Sequence, residues 1–178
     1  MSPFAVLELK LARFRNFGQR TVLEGLDDHG RTFKADTFVE GLVARMTGDD
    51  EKARAAFTAA RAEQEKVVQS QPNFGPPWCV LGLIDAALGQ KEDALREGRR
   101  AVELSRPEKD AIRGPAMIKY LAMIAEWAGD KNLACQQLAI AIRPPSYVGY
   151  GELKLLPWWD PLRGDPRFEK LVASLAPK

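Results

Sequence analysis

The sequence predicts an all-α protein of stacked antiparallel helix pairs, closed by a C-terminal capping helix. Three observations predict it. Ala (24) and Leu (20) dominate the 178 residues, whereas Val, Ile and Thr together number 21, a balance that favours helix over sheet. Gly48, Gly89 and Gly129 each follow an apolar helical run and precede a polar helix start, and they stand at nearly equal intervals along the chain. Small residues then recur at fixed offsets from these glycines. Gly41, Gly82 and Ala122 lie seven before, Ala53, Ala94 and Ala134 five after, and Ala60, Ala101 and Ala141 seven further on.

Each unit reads as a helix A, a tight turn and a helix B, with the turn Gly free to take φ > 0. Small residues at the crossing points let helix axes approach to about 8–10 Å, and larger side chains fill the gaps between them. Phe57 and Leu138 are the fillers on helix B of the first and third units, while the middle unit has Gly98 there. Trp78 and Leu81 fill helix A of the middle unit, and Leu121 that of the third. Between units, Glu63 to Gln71 is expected to prolong helix B by about two turns. Ser105 to Gly114 is expected to form a Pro-containing connection.

The ends are weaker versions of the same pattern. Residues 1–33 read as a degenerate pair, with Phe4, Leu7 and Leu11 on its first helix and a turn at Asn16-Phe17-Gly18. Thr21 to Leu26 would be its short second helix, stopped at Gly30. Pro144-Pro145 breaks the chain, Ser146 to Leu156 can form another short helix, and Pro157-Trp-Trp-Asp-Pro161 breaks it again. Asp165-Pro166 then opens a last helix, with Asp as N-cap and Pro at the first position. Phe168, Leu171, Val172 and Leu175 share one face of it, as a cap over the last pair requires.

Trp78-x-x-Leu81-Gly82, followed by Gly89, Ala94 and Ala101, resembles the tetratricopeptide (TPR) signature. The match departs from it at Asp85, where the signature has an aromatic residue, and in repeat spacing, which here exceeds the roughly 34 positions of TPR arrays. The resemblance implies a right-handed superhelix forming a single TPR-like domain over residues 1–178. Its units would be a degenerate repeat at 1–33, clear repeats at 34–74, 75–114 and 115–145, and a degenerate repeat with cap at 146–178. Glu97 to Leu104 and Trp159 to Phe168 also resemble segments of C-terminal TPR arrays in bacterial multidomain proteins. Those arrays sit behind serine/threonine kinase, adenylate cyclase or transcriptional-regulator modules, of which this sequence carries none. The chain would then hold the interaction half only.

In TPR arrays the A helices line a concave, partner-binding groove. Carried over to this sequence, the groove residues are Phe38, Leu42, Arg45 and Met46 from the first clear unit, and Cys79, Leu83 and Ala86 from the middle one. The third unit supplies Lys119, Tyr120, Met123, Glu126 and Trp127. The resemblance implies a protein or peptide partner of apolar or amphipathic character, with Arg45, Lys119 and Glu126 setting its polarity. The Lys/Asn set that grips a C-terminal carboxylate in chaperone adaptors is missing. A regulatory sensor for a small molecule or signalling peptide is the alternative reading. The groove's occupant stays open: a partner, the chain's own N-terminal unit, the segment Leu155 to Trp159, or a second copy in a homodimer.

Other classes of function find little material. Lys plus Arg number 26 against 24 Asp plus Glu, a net charge of +2, so the large one-signed field of a nucleic-acid or anionic-lipid binder is missing. No run of about 18 apolar residues exists to span a membrane, and Glu8 and Lys10 interrupt any leader core. The cytoplasm is the expected compartment, a secreted chain shorn of its leader the alternative. The single histidine, His29, lies in a turn sequence, and Cys79 and Cys135 form neither a disulfide framework nor a zinc spacing. A thiol nucleophile would have only His29 as its base, so no catalytic residue, metal or cofactor is expected. Gly149-Tyr-Gly151 is a fragment of a dinucleotide fingerprint and reads as local flexibility beside a short helix. Asp49-Asp50-Glu51 complements a helix N-terminus. Arg96, Arg99 and Arg100 lie among Glu92, Asp93, Glu97 and Glu103 as a solvated, ion-paired face.

Overall fold

The structure, a computed structural model, describes residues 35–111, 113–144 and 148–177. The degenerate pair expected at 1–33, with His29, lies outside the described residues. Among those described, every regular element is helical and no strand occurs. In chain order they are α1 (Ala35–Thr47), α2 (Asp50–Ser70), α3 (Gly75–Ala87), α4 (Lys91–Leu104), α5 (Arg113–Trp127) and α6 (Lys131–Ala141). Then come α7 (Tyr150–Leu155), a 3₁₀ helix (Pro157–Leu162) and α8 (Pro166–Ser174). No helix among the described residues is long and apolar enough to cross a membrane. The chain divides into two compact units, Met1–Lys66 and Val67–Lys178.

The same turn joins α1 to α2, α3 to α4 and α5 to α6. Gly48, Gly89 and Gly129 have φ of 79°, 80° and 85°, the left-handed region that a β-carbon disfavours. Each glycine N–H donates to the carbonyl three residues back, and the next residue donates to the carbonyl five back: Gly89 to Ala86 at 3.1 Å, Gln90 to Asp85 at 2.8 Å. Gly48 and Asp49, then Gly129 and Asp130, repeat that pair of bonds on Arg45 and Ala44 and on Glu126 and Ala125. These are Schellman closures, which satisfy helix carbonyls that would otherwise be orphaned. The following helices start at once. Asp49 and Asp130 accept from the N–H groups of Lys52 (3.1 Å) and Leu133 (2.9 Å), whereas Gln90 makes no such side-chain cap.

In the first unit α1 packs on α2 where Gly41 faces the Phe57 ring; a β-carbon at Gly41 would sit 2.7 Å from it. Phe38 tilts against the same ring at a centroid distance of 5.9 Å. α2 runs from Asp50 to Ser70, as the expected extension of this helix B requires.

In the second unit α3 and α5 are the central helices, buried along most of their length, and α4 and α6 pack beside them. Pro76 and Pro77 fall in the first turn of α3, where a missing N–H leaves no bond unmade. The glycine at 98 has a physical cause. A β-carbon there would meet Cδ1 of Leu121 and Cδ1 of Ile124, each at 2.9 Å, so α5 supplies the bulk that helix B of the other pairs carries itself. Two further close approaches lie at helix starts. A β-carbon at Gly75 would come 2.7 Å from the Ala101 carbonyl oxygen, and one at Gly114 2.6 Å from the Pro107 backbone. Both A helices thus begin against the end of α4. Asp110 caps α5 through the Arg113 N–H at 2.8 Å, within the connection expected between Ser105 and Gly114.

The Pro157–Pro161 stretch is expected as a break and folds as a 3₁₀ helix instead. Pro157 presets φ in its first turn, and burial of Trp158, Trp159 and Leu162 holds the short element in place. It packs on α5, and α8 packs on α6 and α7. The Asp165 carboxylate caps α8 at the Arg167 N–H (2.9 Å), while Phe168 and Val172 are buried. The Arg167 guanidinium, hydrogen-bonded to Asp165, holds its carboxyl down at about 2, below the usual aspartate range. A depressed folded-state pKa contributes stability above the unfolded value, lost as pH falls through the folded one. Acid titration followed by carboxyl NMR should therefore show α8 loosening only between about pH 4 and 2, and Asp165→Asn should remove that dependence.

Candidate functional site

The candidate face is the side of the A helices that the resemblance to TPR arrays implies is a groove. In the first unit, Phe38 and Leu42 are buried, Phe38 against helix B, while Met46 is half-buried and Arg45 exposed. In the second unit Cys79, Leu83, Lys119, Tyr120, Met123 and Glu126 are all buried and Trp127 is half-buried. Of the residues assigned to a groove, only Arg45, Met46 and Trp127 therefore present surface to solvent.

The second unit brings four of its polar groups together. Lys119 Nζ lies 3.4 Å from Glu152 Oε1 of α7, with only 3% of the Lys119 side chain and 13% of the Glu152 side chain exposed. The same ammonium sits 5.2 Å from the centroid of the Tyr120 ring. Burial pushes the Tyr120 hydroxyl far above its ordinary range, and negative charge at Cys79 and Glu152 would raise it further. The Cys79 thiol is likewise pushed up by burial, against the opposing charge of Lys119. Both groups stay protonated at neutral pH, so Cys79 is not the thiolate that nucleophilic chemistry needs. The Glu152 carboxyl is raised by burial and lowered by Lys119. This ion pair lies where the dielectric is low, so each charge leans on the other's presence.

Cys135 is also a buried free thiol, raised first by burial and then by the Asp165 charge. Among the described residues no group of three or more His, Cys, Asp and Glu is placed to hold a metal ion. Two members of the Arg96, Arg99 and Arg100 cluster stand in ion pairs: Arg96 with Asp93 at 2.6 Å, Arg100 with Glu103 at 3.3 Å.

Glu152 and Leu153 escape the residue pattern altogether. Glu152 reaches Lys119 from a distant part of the chain, and no periodicity links the two positions. Gly75 and Gly114 do leave a signal, since each stands at the start of a helix A, at nearly the same distance before its turn glycine.

Compared with known proteins, the chain matches no family model, no curated protein and no solved structure.

Proposed function

We propose that the chain is a protein-interaction module of TPR-like architecture, taking a partner segment at the residues its A helices leave exposed, Arg45 and Met46 in one unit and Trp127 in the other. The observation that carries this reading is the threefold recurrence of one turn. Left-handed glycines at nearly equal intervals close with the same pair of hydrogen bonds, and small residues at matching offsets are buried beside them. Proteins built from such recurring helix pairs bind partners along the surface that their successive units line. The polar content of the face supports the same reading. Lys119 and Glu126 are charged and buried on a central helix, where a purely structural core would carry aliphatic side chains.

The accessible residues decide the test. Charge substitutions at Leu83 or Met123 would break the core, since these are 1% and 5% exposed. A photo-crosslinking amino acid at position 46, and separately at position 127, reads partner contact without that damage. Both sites should yield a discrete heterologous adduct in cells, and Arg45→Glu should suppress the adduct from position 46 while the circular dichroism stays unchanged. Chains crosslinked only to themselves, or not at all, would overturn the reading.

A further inference from the structure

We draw no further inference here: the strongest candidate, the surface patch where the turns joining α3 to α4 and α5 to α6 meet, with Lys91 Nζ 3.5 Å from the place a β-carbon on Gly129 would take and half-buried Trp127 close by in the chain, carries nothing because Glu92 and Asp130 adjoin these residues in sequence and nothing in the structure shows what covers it.

Discussion

Replacing Trp159 with Ala should lower the stability of the second unit by about 3–5 kcal/mol. Trp159 is fully buried in a 3₁₀ helix that packs on α5, and its removal leaves a cavity that the short, Pro-bounded element cannot collapse to fill. Among the described residues its indole N–H has no hydrogen-bond partner. Trp159→Phe therefore loses volume but also removes a buried unpaired donor, whose cost is about 1–3 kcal/mol. The phenylalanine variant should retain most of the stability that the alanine variant loses. Urea unfolding followed by circular dichroism separates the two, and equal midpoints for Trp159→Ala and wild type would show that the indole is not part of the core.

Two glycine substitutions of identical chemistry should differ sharply. At Gly114 a β-carbon would lie 2.6 Å from Pro107 N and Cα and 2.8 Å from the Ser105 carbonyl oxygen, all of them backbone atoms. Relief requires α5 to shift away from the end of α4, so Gly114→Ala should destabilise by about 2–3 kcal/mol. At Gly98 the obstacles are the tips of Leu121 and Ile124, which can rotate aside. Gly98→Ala also gains about 1 kcal/mol of helix propensity, and its net effect should stay within about 1 kcal/mol of wild type. Thermal unfolding of the pair measures the difference directly. A Gly98→Ala variant as unstable as Gly114→Ala would mean that the α4–α5 contact has no slack.

Helical class, the turns and most element ends were legible because they depend on local chemistry. A left-handed closure needs glycine, a helix start favours Asp, and a cap helix must be apolar on one face. Gly48, Gly89, Gly129 and Asp165-Pro166 carry these signals within a few residues of sequence. The Trp158-Trp159 segment was harder to read, since two prolines mark a break equally well as a 3₁₀ turn, and only burial of the tryptophans decides between them. The candidate face was legible by position and opaque in its exposure. The resemblance to TPR arrays implies that Cys79, Leu83, Lys119 and Met123 lie on the groove side of the A helices, but it is silent on what lies over that side here.

The sequence by itself determined where the described helices turn and which small residues sit at their crossings, because both follow from steric limits on single residues and from fixed helical geometry. Only the tertiary structure decided that α5 fills the space at Gly98, that both central A helices start against the end of α4, and that Lys119 is covered by Glu152. These are contacts between residues far apart in the chain. Their specificity comes from shape and charge met across space, which no local pattern encodes.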